Sequence, residues 1–328
     1  MSKRVAILGC GFGIGGVIRS LKEEGYTVIG LDSDPLAPGL YQCDIARYVP
    51  PTYSNVFLTQ LVDVCVREHV DVLFPVTDDS VFLLSENADI LNKNSIAHLL
   101  PSDKAVELVI NKYKFYNTLE SANVPVAKFK IPESKDDVQK FIEIVGLPIC
   151  FKKSFGSRGQ GFAKVSILKN AMKEYEHDPR RIICEFLPGS EYEVEAVYDK
   201  TGRLVTMTPR KKVEYKLELG LTLKSVTIHS KELCKLVEET IKAIGGWVGP
   251  CSVELKESFD GKPKIIEMNP RFVTPTYLLT AAGVNIPDIS TKLALKHTIN
   301  DIKTHNSAKK GIYLTRMLKD VTLTETRF

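Results

Sequence analysis

The 328-residue chain is 44% hydrophobic and 26% charged, with a formal net charge of +4 spread along its length. No apolar run is long enough to span a bilayer and no basic block marks a nucleic-acid surface, so neither a membrane nor a nucleic acid is an expected partner. The N-terminus carries no signal-peptide pattern and none of the seven cysteines forms a Cys-x-x-Cys pair, which together predict reduced thiols and a cytoplasmic location.

The first hundred residues alternate strand and helix patterns. Strands are predicted at Val5–Leu8, Thr27–Leu31 and Val70–Pro75, and helices at Ile14–Glu24 and Val56–Glu68. That alternation implies a parallel sheet with ligand sites beyond the strands' carboxyl ends. Between the first strand and helix lies a G-x-G-x-x-G at Gly11, Gly13 and Gly16, and Asp32 ends the second strand. The pattern fits a dinucleotide site, and it equally fits a tight turn with close helix packing. Asp78-Asp79 follows the third strand, where it serves as a helix start or a seat for a substrate amino group.

Near Pro101-Ser102-Asp103 the pattern changes to a helix over Asp103–Ala122, and from Val126 onward the elements look antiparallel with interleaved helices. Strand Pro148–Lys152 runs into Gly156-Ser157-Arg158-Gly159-Gln160-Gly161, with a strand at Phe162–Ser166 beyond. Backbone N–H groups of such a loop can face phosphates, and a lysine ending the strand can neutralise them. Further strands are expected at Ile182–Phe186, Glu191–Tyr198 and Leu204–Pro209, then a helix at Lys231–Ile244.

A hairpin follows. Taking Asp260-Gly261 as the two central turn residues places Glu254 directly opposite Glu267, with Asn269 on the same face. Opposed carboxylates repel unless a cation lies between them, and two carboxylates with an amide oxygen suit a hard ion such as Mg²⁺ completed by phosphate oxygens. A solvated acidic face is the plain alternative.

Together these segments resemble the ATP-grasp superfamily, most closely its carbamoyl-phosphate-synthase-like carboxylate–amine ligases. Asn111-Lys112 is similar to that family's first nucleotide-binding lysine, and Lys152 with the glycine run to the second lysine and the phosphate-covering loop. Cys184-Glu185-Phe186-Leu187 and Glu191 resemble the adenine hinge and the ribose glutamate; Glu254 and Glu267-Met268-Asn269-Pro270-Arg271 resemble the metal ligands and the arginine after them.

The resemblance implies a Rossmann-like α/β domain over residues 1–102. It is followed by an α+β ATP-grasp domain in two parts, 103–187 with the phosphate loop and 188–328 with the metal hairpin. It implies ATP bound by Lys112, Lys152, Gly156, Ser157, Gly159, Gly161, Glu185, Phe186, Leu187 and Glu191. One or two Mg²⁺, or Mn²⁺, would be held by Glu254, Glu267 and Asn269. Arg271 and Lys152 would take catalytic parts. Arg210, in the run Arg210-Lys211-Lys212 after strand Leu204–Pro209, is a further catalytic candidate that would contact an acyl phosphate or anionic substrate, with a solvated basic strand end as the plain alternative.

The implied reaction activates a small-molecule carboxylate as an acyl phosphate and condenses it with an amine, in a possible homodimer. Two features depart from the family pattern: Asn111 stands where aspartate is usual, and Val273-Thr274-Pro275-Thr276 replaces the usual glycines or second arginine. A single nucleotide unit implies that carbamoyl phosphate synthesis itself is not the activity. The competing expectations are an NAD(P)-dependent oxidoreductase using Gly11–Gly16 and a non-catalytic ATP-binding protein.

Overall fold

Three sheets organise the chain in a computed structural model that describes residues 2–156, 161–216, 221–298, 302, 308–317, 322 and 326. The first unit runs β1 (Arg4–Leu8), α1 (Gly15–Glu23), β2 (Thr27–Asp32), a 3₁₀ turn (Pro38–Tyr41), β3 (Ile45–Tyr48), α2 (Phe57–Arg67), β4 (Val72–Pro75), α3 (Asp78–Glu86) and α4 (Ala88–Lys93). Its sheet has the order β3-β2-β1-β4, all parallel. β1 and β4 are almost wholly buried because helices and loops cover both faces, as a parallel sheet requires.

The middle unit follows as α5 (Asp103–Ile110), α6 (Lys112–Ser121), β5 (Phe129–Lys130), α7 (Lys135–Val145), β6 (Ile149–Lys152), β7 (Ala163–Val165), α8 (Leu168–His177) and β8 (Ile182–Glu185). The antiparallel sheet has the order β5-β8-β6-β7. The helix expected over Asp103–Ala122 is broken in two. Asn111 has extended backbone (φ −91°, ψ 96°), and its side chain accepts the Lys114 N–H as the N-cap of α6. The break puts Lys112 at the start of a helix, where its backbone N–H reaches Ser154 O at 2.9 Å beside the glycine loop.

The last unit comprises β9 (Glu191–Tyr198), β10 (Leu204–Lys216), β11 (Leu221–Thr227), α9 (Lys231–Ala243), β12 (Gly249–Glu257), β13 (Pro263–Asn269), α10 (Tyr277–Ala281), α11 (Ile286–Ala294) and β14 (Tyr313–Thr315). Its sheet runs β13-β12-β9-β10-β11-β14, antiparallel throughout. Strand alternation divides its two faces. Val194, Ala196, Val253, Leu255 and Ile265 pack with Leu233, Val237 and Ile241 of α9 into an apolar core. The other face is charged: β10–β9 and β12–β9 registers align Arg210, Glu193 and Glu254 in one row, and Glu267 extends it on β13.

The hairpin register is reached by a different route from the one expected. Glu257 pairs with Pro263, leaving a five-residue connection in which Gly261 N–H bonds Ser258 O at 3.0 Å and Gly261 adopts φ +77°. This is a turn closed by a left-handed glycine, not a two-residue turn centred on Asp260-Gly261. A bulge between Glu254 and Leu255 then takes up one residue, Ile266, on the opposite strand. The two departures cancel, so Glu254 does face Glu267 and Ser252 faces Asn269.

Candidate active site

A cavity of about 310 Å³ lies between the middle and last sheets. Lys112, Lys152, Gly156, Glu185, Phe186, Leu187, Glu191, Glu254 and Glu267 all line it, so residues far apart in sequence converge on one space. Phe186 and Leu187 sit just past the end of β8, and their backbone N–H groups donate no hydrogen bond among the described residues. With Ala127, Cys150 and Ile266 they make a narrow, largely apolar end suited to a flat ring. Glu185 pairs with Lys264. Lys152 also lines the cavity, and its ammonium donates to Tyr116 Oη at 3.2 Å; Tyr116 in turn donates to Ile266 O at 2.5 Å.

The other end is a chain of alternating charges. Lys212 Nζ lies 2.7 Å from both Glu191 Oε1 and Glu254 Oε2, and Lys112 Nζ lies 3.0 Å from Glu267 Oε1 and 2.6 Å from Gly156 O. Asn269 Nδ2 is 3.5 Å from Glu254 Oε1. Burial pushes the Glu254 carboxyl up to about 7, against the pull of Lys212 and with help from Glu193, Glu267 and Glu191. Burial also disfavours the charge on Lys212, but Glu254, Glu193 and Glu191 overcome it and hold the ammonium above its usual range. For Glu191, burial is likewise outweighed by Lys212 and Lys256, which keep the carboxyl below its usual range.

Among the described residues, no group of three or more His, Cys, Asp or Glu side chains could hold a metal ion by itself. Glu254 and Glu267 supply two carboxylates, and the Asn269 amide, whose Nδ2 faces Glu254 and whose Oδ1 accepts from Arg271, would add its oxygen on turning over. That set fits Mg²⁺, which keeps several positions for water and phosphate, better than a fully protein-caged ion.

A second cavity, about 590 Å³, adjoins the first through Lys112, Gly156 and Glu267, which line both. Its walls include Gly9, Gly11–Ile14 and Asp32 of the first unit, Thr77–Asp79 and Arg271. Arg271 Nε donates to Asp78 Oδ1 at 2.7 Å and Nη2 to Asn269 Oδ1 at 3.2 Å. Asp78 therefore opens α3, which Thr77 caps, and anchors the arginine as well.

Two expectations are corrected here. Arg210 lines neither cavity: it is 0% exposed and ion-paired with Glu193 and Glu195 inside the sheet. Lys212, two residues on and on the same face, is itself buried but pairs with Glu191 and Glu254, which line the first cavity. The oxidoreductase reading of the N-terminal glycine fingerprint is not favoured: packing requires Gly13 and Gly16, although Gly11, Gly13 and Asp32 also line the second cavity. A Cβ on Gly13 would overlap Thr274 Cγ2, and one on Gly16 would sit 3.0 Å from Tyr277 Cβ. Asp32 accepts the N–H of Cys10 at 2.6 Å and of Asp34 at 2.9 Å, so it holds its own loop.

Gly161 lines neither cavity; it packs against the Lys153 side chain, and its φ of +71° explains the glycine. Ser157 and Gly159 lie outside the described residues. Lys264 and Tyr116 carry no signal in the sequence as site residues, whereas Lys212 belongs to the basic run Arg210-Lys211-Lys212 expected to contact an anion.

Residues 177–318 match the family described as ATP-grasp in the biosynthetic pathway with Ter operon, and residues 5–99 match the PylC-like N-terminal domain. A carbamoyl phosphate synthase large chain from Bifidobacterium adolescentis is 28% identical over 307 residues, covering 87% of this chain. The chain spans 27% of that relative's length. Among solved structures, N5-carboxyaminoimidazole synthetase from Staphylococcus aureus complexed with ADP superposes with a TM-score of 0.74 at 18% identity, covering 94% of this chain and 81% of that one. The biotin carboxylase domain of Hydrogenobacter thermophilus 2-oxoglutarate carboxylase, in complex with MgADP, ADP and bicarbonate, gives 0.70 at 19% identity, covering 95% and 73%.

Proposed function

We propose that this chain, which joins a PylC-like N-terminal domain to an ATP-grasp domain, is an ATP- and Mg²⁺-dependent ligase that links a carboxylate to an amine. The observation that carries the reading is the convergence of seven expected nucleotide-binding residues and two expected metal ligands on one cavity whose charged end opens into a second cavity holding Arg271. We divide the chain at residues 1–102, 103–187 and 188–328.

In this reading the adenine ring lies at the Phe186–Leu187 end and the ribose hydroxyls donate to Glu191. Lys112 and Lys152 neutralise phosphate oxygens as point charges. Glu254, Glu267 and Asn269 would hold Mg²⁺, which would supply positive charge to offset the charge that develops on the phosphate oxygens. The residues thus orient reactants and stabilise charge, which is what phosphoryl transfer needs; no side-chain nucleophile is required.

A carboxylate oxygen of the substrate in the second cavity attacks the γ-phosphorus, the bond to the β–γ bridging oxygen breaks, and ADP leaves. Arg271 faces the acyl phosphate so formed. The amine then attacks the acyl carbon, phosphate departs, and the amine proton passes to solvent. The large chain and the synthetase named above support ATP-driven chemistry of this class, and the magnesium salt in the carboxylase-domain complex supports the choice of ion.

The seven free cysteines support a reducing, cytoplasmic setting, and the dimer named in the same complex supports a homodimer. No helix among the described residues is long and apolar enough to cross a membrane. The test is ADP release under Mg-ATP against a panel of carboxylates paired with amines. Pair-dependent ADP release supports the ligase; tight ATP binding with turnover of no pair overturns it in favour of a nucleotide-binding protein without catalysis.

A further inference from the structure

We propose that Arg210, Glu195 and Thr276 form a buried clamp that positions Arg271 at the junction of the two cavities. The inference rests on the ligase reading for what Arg271 does, and on geometry for how it is held.

Arg271 sits on the short connection between β13 and α10. Its side chain is tied to Asp78 and Asn269, but the backbone beneath it must be fixed independently. Phe272 packs edge-on against Phe74 with ring centroids 5.2 Å apart. Thr276 closes the turn: its N–H reaches Val273 O at 3.2 Å and its hydroxyl accepts the Val273 N–H at 3.3 Å. The same hydroxyl lies 2.6 Å from Glu195 Oε2 and 2.7 Å from Val273 O. A hydroxyl has one proton, and the charge-assisted bond to the carboxylate is the stronger use of it.

Glu195 is 2% exposed and Thr276 0%, so this carboxylate has no water to stabilise it. Arg210 supplies the compensation, pairing with Glu195 and with Glu193, which accepts Ser252 Oγ–H at 2.5 Å from the neighbouring strand. A planar fork can pair two carboxylates two residues apart on one strand, which the point charge of a lysine does less well. The chain of contacts thus runs from the sheet interior through Arg210, Glu195 and Thr276 to the turn carrying Arg271. None of the three clamp residues lines either cavity, so they are positioning residues.

The test uses the ¹⁵N-labelled full chain and the Arg271 Nε–H resonance, assigned by its loss in Arg271→Lys. Thr276→Val keeps shape and removes the hydroxyl; Thr276→Ser keeps the hydroxyl; Glu195→Gln keeps an acceptor without charge. The expected result is that Thr276→Val shifts or broadens the resonance and lowers the ADP-forming kcat by about tenfold or more with KM for ATP little changed, since positioning shells typically contribute on this scale. Thr276→Ser restores both. An unchanged resonance in folded Thr276→Val and Glu195→Gln overturns the clamp, as does a loss confined to KM for ATP. The resonance decides the clamp even if wild-type protein turns over no substrate pair, in which case only the ligase reading falls.

Discussion

Two carboxylate–cation clusters lie one step apart on the same face of the last sheet, and they behave in opposite ways. The inner one sets Glu193 and Glu195 around Arg210, at 2%, 2% and 0% exposure. The outer one sets Glu191 and Glu254 around Lys212 and opens onto the cavity. Their strands and residue types are nearly the same, yet one cluster is sealed inside the sheet while the carboxylates of the other line the cavity. The difference follows from the cation and from access. A guanidinium cannot give up its proton and its fork holds two carboxylates rigidly, whereas a lysine on a flexible stem can yield its place to an incoming cation. Electrostatics that preserves a fold and electrostatics that performs chemistry are thus separated by a single step along β10.

The largest effect that would break this comparison comes from Arg210→Met, which strands two buried carboxylates. It should cost about 3–5 kcal/mol in chemical denaturation, the usual penalty for breaking a buried pair. Lys212→Met should cost clearly less, because Glu254 can take up a proton near neutral pH and Glu191 keeps Lys256 at 3.3 Å. Equal losses would erase the distinction. Next in size, Glu267→Ala should lower the ADP-forming kcat by about 10²-fold or more, as loss of a charge-stabilising group does; intact ADP formation would remove the metal assignment.

The outer cluster should also respond to pH. The Glu254 carboxyl stands at about 7, above its ordinary 4.5, so the folded ligand-free protein binds its proton more tightly than the unfolded chain. That contribution to stability is therefore fully present below about 4.5 and lost as pH rises through about 7. Mg²⁺ needs the ionised form, so its affinity should rise over the same interval. Melting curves at pH 5 and pH 8, with and without Mg²⁺, check both signs: stabilisation by Mg²⁺ should be larger at pH 8, and equal stabilisation at the two values contradicts the assignment. The smallest effect is a control outside both clusters. Gly261→Ala forces a side chain into a left-handed turn and should cost about 1–2 kcal/mol without changing Mg²⁺ affinity.

Much of this site was legible because its residues lie at strand ends and in short motifs with fixed spacing. The Glu254–Glu267 pairing was reached from a wrong turn, and the agreement depended on a bulge at Ile266 that nothing in the local sequence announces. Arg210 and Lys212 could not be ranked. They share a face, and which one pairs with the carboxylates that line the cavity depends on how far each lies from the sheet's covered centre. Asn111 was read as a helical position because periodicity continues through it, whereas its capping side chain ends one helix and starts another. The glycine fingerprint is ambiguous for a physical reason: close approach of a backbone to a pyrophosphate and close approach to Thr274 demand the same missing Cβ.

The packing of Gly13 and Gly16 against Thr274 and Tyr277 has a consequence for transplanting this site. The carboxylates would travel with the C-terminal sheet onto any scaffold, because β9, β12 and β13 carry them. The arginine would not, since Asp78, which holds its side chain, and Phe74, which packs on Phe272, are supplied by the first unit. A chimera made at the domain boundary would inherit a nucleotide pocket and lose the address of Arg271. The two halves of this chain have to be exchanged as a matched pair.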